Sequence, residues 1–225
     1  MLVAAAVLPH PPVLVPELAS GAAPELEPLR LSCRAAVDAL WAVGPDVVYV
    51  VGTDTTPHAT SLAPWGGAGA DVRIDVPEPL PLSLLVGGWL TSGRIRSFVA
   101  VDDDLDPDEC AQLGAELAES AGRVALAVMG DGAARHSEKA PGYLDERAAP
   151  FDATVAAALA TGDVQTLLAI DPDDARAMLA AGRAPWQVLA GAAVGQDRPT
   201  VTGSEFLTPY GVGYHLVTWA WQEFA

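Results

Sequence analysis

Two short runs of small and branched apolar residues, Leu2–Leu8 and 47–51, each closed by turn residues, set the tightest limit on what this chain can fold into. A strand with one wet face alternates apolar with polar residues. These runs do not, so both faces of each are predicted to be covered. Between them, Leu26, Leu29, Cys33, Ala36, Val37 and Leu40 recur at helical spacing within 25–43, which ends at Gly44-Pro45, a helix stop. Strand, helix, strand in that order predicts a βαβ unit with a right-handed crossover, its two strands lying as central neighbours in one sheet.

Further along, 53–81 is rich in Gly, Pro and Thr and reads as long irregular structure with one strand at 72–76. A helix is expected over 82–91, a strand at Ser97–Val101, and a helix from Asp106 as N-cap and Pro107 at N1 to residue 121. Val124–Met129 is another buried strand, broken by Gly130-Asp131-Gly132. Helices follow at 150–160, 163–169, 172–181 and 185–194, several opened by Asp or Pro. Thr200–Leu207 and 211–219, joined through Thr208-Pro209-Tyr210, predict an antiparallel strand pair added to the sheet. The fold class is therefore α/β, a three-layer sandwich with a mostly parallel central sheet, and 225 residues suit one domain.

Charge narrows the partners. Twelve basic against 29 acidic residues leave a formal net charge of -17, which repels phosphate backbones and anionic lipid. Nucleic acid and membranes are not expected partners. Cys33 and Cys110 lie far apart, outside any Cys-x-x-Cys spacing, and read as inert thiols. The opening apolar run is too short to span a bilayer, has no basic leader and meets Pro9, so it reads as a strand and the compartment as the cytoplasm.

No Walker loop, Gly-x-Gly-x-x-Gly turn, Gly-x-Ser-x-Gly elbow or His-Glu-x-x-His helix occurs. What remains is a set of strand ends. Ligands of open α/β sheets bind outside the carboxyl ends of the strands, where His10, Asp54 and Asp131 each follow an apolar run. Prolines on both sides of His10 restrict its backbone and aim the imidazole from a stiff segment. Against this stand plainer readings: His10 bonded to backbone in a tight turn, Asp54 in an Asx turn, Asp131 as a turn acid between glycines, His215 as a strand residue. Asp102-Asp103-Asp104 reads as a polar loop before the Asp106 cap. Arg135, Lys139, Arg147 and Arg183 offer a cleft-facing pair for a carboxylate or phenolate, with pairing to the abundant acids at the surface as the plainer reading of each. Trp65, in the Gly-rich stretch 64–69, is a candidate cover for a ligand pocket.

The run Leu8-Pro9-His10-Pro11-Pro12-Val13-Leu14-Val15-Pro16-Glu17 resembles the opening of class III extradiol ring-cleavage dioxygenases of the LigB type. The likeness continues at Gly130-Asp131, Ala140-Pro141-Gly142-Tyr143 with Phe151-Asp152, Gly182-Arg183-Ala184-Pro185, and Glu205 with Gly211-Val212-Gly213-Tyr214. Memo-type proteins share that scaffold. The resemblance implies a non-haem Fe(II) centre of two His and one carboxylate, with open positions for a small catecholic or phenolic molecule and dioxygen. His10 matches the first ligand. Where the family has its second His, this chain has Gly52-Thr53-Asp54, so Asp54 replaces it or His58 reaches in. The family's acid/base His falls at Gly130-Asp131-Gly132-Ala133-Ala134, leaving His136 as its substitute beside Asp131. Its third ligand aligns with Ala180-Ala181-Gly182, leaving Glu205.

Two functions stay open at this point. One is a metal-dependent oxidoreductase that cleaves a small aromatic ring. The other is a degenerate relative, a pseudoenzyme that binds a small molecule or protein partner without oxygen chemistry. The aromatic-rich terminal strand pair is also a candidate surface for a homo-oligomer.

Overall fold

In the computed structural model, residues 1–19, 21, 23–66, 72–76 and 78–221 are described. Six strands form one sheet: β1 (Leu2–Leu8), β2 (Val47–Thr53), β3 (Ser97–Val101), β4 (Val124–Met129), β5 (Thr200–Leu207) and β6 (Tyr214–Ala220). Their order across the sheet is β3-β2-β4-β1-β6-β5. The β1–β4, β2–β4 and β2–β3 pairs are parallel, while β6 joins β1 and β5 in antiparallel fashion. The expected α/β sandwich with a terminal antiparallel pair is what the chain forms.

One expectation is corrected. The first two strands are not neighbours, because β4 lies between them: Val124 pairs with Leu2 on one side and Val47 on the other. All six β4 residues are buried, so this strand needs cover on both faces and both edges, which only the middle of the sheet supplies.

Helices cover both faces. The helix α2 (Glu27–Ala42) follows the short α1 (Pro16–Ala19) and turns Leu29, Cys33, Ala36, Val37 and Leu40 inward. With α3 (Leu82–Leu90) it covers the face bearing Ala4, Ala6 and Leu8. The opposite face, with Leu2, Ala5 and Val7, is covered by α4 (Pro107–Glu119), α5 (Ala148–Thr161), α6 (Val164–Leu168), α7 (Pro172–Met178) and α8 (Arg183–Ala193). The alternation along β1 is thus between two cores rather than between core and water. Each fully buried Leu or Val contributes about 1.5–3 kcal/mol to this packing.

Local signals explain where the helices begin and end. Asp106 accepts from the Asp108 amide at 3.0 Å, and Glu109 reaches back to the Asp106 amide, a capping box with Pro107 behind it. Leu179, in the left-handed region at φ 55, stops α7 three residues before the expected end. Helices α4 and α8 approach closely at Gly114 and Gly191, where a methyl group would strike the backbone of Val188 and Ala111.

The strand expected at 72–76 does not form a ladder. Arg73 makes an isolated bridge to Ser61, and Leu62 donates to Val72 at 2.9 Å, within a loop too rich in Gly and Pro to extend the pairing. Trp65 ends a turn of 3-10 helix (Ala63–Trp65) and rests against the core under α2 and α3, while 67–69 of that stretch lie outside the described residues. Residues 209–211, expected to turn and open a strand, form a 3-10 turn before β6.

Candidate functional site

Strands β1, β2 and β4 end level with one another, Met129 pairing with both Leu8 and Gly52, so the segments that follow share one rim. Gly130 donates to the Leu8 carbonyl at 2.9 Å and carries the ladder one step past the strand, which sets Asp131 beside His10. The His10 amide donates to Asp131 Oδ1 at 2.9 Å, and His10 Nδ1 lies 3.8 Å from the same oxygen. Pro11 then leads into a 3-10 turn (Pro12–Leu14) whose first bond is Leu14 N–H to the Pro11 carbonyl, locking the segment that aims the imidazole.

This corner is short of water and of partners. Burial pushes the Asp131 carboxyl above its ordinary range, an effect that the nearby His10 charge and amide bond oppose. Across an isolated bridge, burial and the Asp131 charge push the Tyr214 phenol up as well. Cys33 on α2 is raised to about 12 by burial, then by Glu205 and Asp131. His10 Nδ1 is sealed without a hydrogen-bond partner, and His10 keeps 7% of its surface exposed. The carboxyl accepts hydrogen bonds and an imidazole can donate or accept, so the pair suits a phenolic hydroxyl.

A second cluster lies on the other face. Successive side chains of β6 alternate across the sheet, so His215 points away from Tyr214, toward α5 and α8. There Asp152, fully buried one turn into α5, accepts from His136 Nε2 at 2.6 Å and from His215 Nε2 at 3.0 Å. The Ala133 amide donates to both of its oxygens, at 3.0 and 3.2 Å. A carboxylate offers only acceptors, so both imidazoles present Nε2–H to it. Gly132 and Gly213 flank the carboxylate so closely that a Cβ on either would strike it. Phe206 stacks on His215 with centroids 4.8 Å apart, and Trp186 meets His215 edge-on at 5.4 Å.

The candidates named from sequence thus fall into separate places. His10 and Asp131 share the strand-end rim, and His136 belongs to the Asp152 cluster. Asp54 and His58 pair with each other at 2.6 Å on an exposed loop after β2. Glu205 sits on the edge strand β5 opposite Leu216, facing α2 across a groove lined by Ser32 and Ala36. Four strand spacings separate β5 from β2, about 19 Å at roughly 4.8 Å each, so Glu205 is remote from Asp54. Among the described residues, no three His, Cys, Asp or Glu side chains are grouped to hold a metal ion. As arranged here, His10, Asp54, His58 and Glu205 do not fit the iron centre that the resemblance implies.

Other polar candidates are structural. Arg183, expected at the surface, is buried and bonds the carbonyls of Leu105 and Asp103 and the Gln187 side chain. Asp102 closes a turn by accepting from the Asp104 amide at 2.9 Å. Asp152, quoted only within the family likeness, and His215, read as a strand residue, are the site residues to which sequence reasoning gave no role. The signal that could have found the acid was its place on the inward stripe of α5, three and seven positions before Val155 and Leu159.

Among the described residues no helix is long and apolar enough to cross a membrane. No protein-family model matches the chain, and no curated protein matches it. Among solved structures it is similar to the crystal structure of an uncharacterized protein, JW3007, from Escherichia coli K12. The two share 15% identity over 96% of this chain and 99% of that one, with a TM-score of 0.48.

Proposed function

We propose that this chain is a divergent relative of the LigB-type class III extradiol ring-cleavage dioxygenases over its whole length, and that its strand-end site binds a small phenolic molecule without cleaving the ring. One observation carries this reading. His10 and Asp131 are held together at the rim, while the other ligand-type side chains that ring cleavage would need are spent elsewhere, Asp54 on His58 and Glu205 on the sheet edge. In this reading His10 and Asp131 bond the ligand's hydroxyl groups, and the compartment is the cytoplasm, in keeping with two buried, unpaired cysteines.

Metal-dependent ring cleavage is the second reading, favoured by the sealed His10 Nδ1 that has no partner inside the protein. Two measurements on anaerobically purified protein separate the readings: its iron content after incubation with Fe(II), and calorimetric titration with catechol. The binding reading expects saturable catechol binding, weakened about five-fold or more by His10→Ala, with no oxygen uptake. Stoichiometric iron with oxygen uptake on catechol establishes ring cleavage instead. Absence of both binding and uptake removes both readings.

A further inference from the structure

Away from the strand ends, a cavity of about 500 Å³ opens between α5, α6 and α7. Its volume lies in the range of small-molecule sites. Phe151, Val155, Ile170 and Met178 form an apolar floor, with Val155, Ile170 and Met178 otherwise buried. The rim carries Arg147, Asp171 and Asp174.

The charges at the rim choose the occupant. Arg147 is already gripped by Asp145, Nη2 to Oδ2 at 2.7 Å and Nε to Oδ1 at 3.0 Å, a two-pronged bond that satisfies its guanidinium. Among the described residues, Asp171 accepts from the amides of Asp173 and Asp174, at 2.7 and 3.3 Å. Among the described residues, the Asp174 side chain makes no hydrogen bond or ion pair. Asp174 lies near enough to Arg147 for their charges to attract, yet one guanidinium shared among Asp145, Asp171 and Asp174 leaves the rim net negative beside an apolar floor, in a chain whose net charge is -17. An anion is repelled here, and a zwitterion finds no free cation on this rim for its carboxylate.

We propose that this groove is a binding site for an organic cation with an apolar body, of the arylalkylamine class. Its ring lies on the floor between Phe151 and Met178, where a thioether and an aromatic ring both favour it. Its ammonium group faces Asp174. The site is independent of the phenol-binding reading given for the strand ends.

The test is an NMR titration of the isotope-labelled full chain with 2-phenylethylamine and, separately, 3-phenylpropionate. Saturable shifts centred on residues 151, 155, 170 and 178 are expected with the amine and none with the acid. Asp174→Asn is expected to weaken the amine about two- to five-fold, the contribution of one exposed charge. Raising salt from about 0.02 to about 0.5 M should weaken it likewise. Thr154→Trp, at an exposed rim position, fills the groove mouth and is expected to abolish the shifts. Equal response to amine and acid, no saturation by about 10 mM, or unchanged binding in Asp174→Asn overturns the proposal. Should Thr154→Trp fail to fold, the Asp174→Asn comparison alone decides.

Discussion

His136 donates to Asp152 through Nε2 at 2.6 Å, and that carboxylate is fully shielded from water. Three donors from three parts of the chain converge on it: the Ala133 amide, His136 and His215. Asp152 therefore ties the loop after β4 to β6 through α5. Asp152→Ala leaves all three donors without an acceptor in a site water does not reach, and is expected to cost about 3–5 kcal/mol. Asp152→Asn keeps one acceptor oxygen. Its amide can face His136, whose Nδ1 makes no internal bond and is not sealed, so the ring can change tautomer; the expected cost is about 1–2 kcal/mol. Urea denaturation of both variants checks the ordering. Equal losses would mean that Asp152 acts by volume alone.

Asp131 makes the opposite prediction. Its carboxyl is raised above the ordinary range, chiefly by burial, so the folded protein holds its proton more tightly than the unfolded chain. Stability from this group is then present below the unfolded pKa of about 4 and is lost as pH rises through the higher folded value. At neutral pH the ionised group is a burden on the fold. Asp131→Asn keeps an oxygen for the His10 amide and removes the charge, so it is expected to stabilise the protein by about 0.5–2 kcal/mol at pH 7. That gain should shrink as pH falls toward 4. Thermal melting at the two pH values measures it, and a variant less stable than the parent at pH 7 would show that the carboxylate is needed for folding. A residue that weakens the fold where it stands is one that function has reason to keep.

What was legible in the chain follows how local each signal is. The continuous apolar runs of β1 and β4 announce strands covered on both faces, and Asp106-Pro107 announces a helix start within four residues. The place of β4 between β1 and β2 was not legible, because two runs of the same composition compete for the middle and only the whole sheet decides. His10 was legible from its flanking prolines. The Asp152 cluster was not, since its partners lie 16 and 63 positions away and His136 matches no motif. Glu205 could be assigned to a strand by pattern, but not to the far edge of the sheet.

The two thiols are expected to be inert while the protein is folded. Burial raises Cys33 to about 12, reinforced by Glu205 and Asp131, and raises Cys110 to about 11 against the lowering effect of Arg183. The reactive species is the thiolate, about one part in 10⁴ for Cys33 and one in 10³ for Cys110 at pH 8. Iodoacetamide at pH 8 should label neither in native protein and both in denaturant, as read by intact mass. Labelling of Cys33 in native protein would show that the α2 face opens.

The exposed pair on the loop after β2 gives a contrast. His58 and Asp54 are 2.6 Å apart with side chains 45% and 37% exposed, so water competes for both. His58→Ala is expected to change stability by no more than about 0.5 kcal/mol. Denaturation in urea tests this, and a loss above about 2 kcal/mol would mean that the loop is anchored by this pair.

Gly213 offers the sharpest steric test of the buried cluster. It sits just before β6, its amide donating to the Ala133 carbonyl at 2.9 Å while the Gly132 amide donates to the Gly213 carbonyl at 2.7 Å. This pair of backbone hydrogen bonds presses both glycines against the Asp152 carboxylate, leaving no room for a methyl group on either. Gly213→Ala must displace Asp152 or part the two segments, and overpacking of this kind costs about 1–3 kcal/mol. Because the clash is with the carboxylate itself, the double variant Gly213→Ala with Asp152→Ala should lose less than the sum of the single losses. Additive losses, measured by denaturation of the four proteins, would show that the glycine is needed for backbone pairing rather than for making room for Asp152.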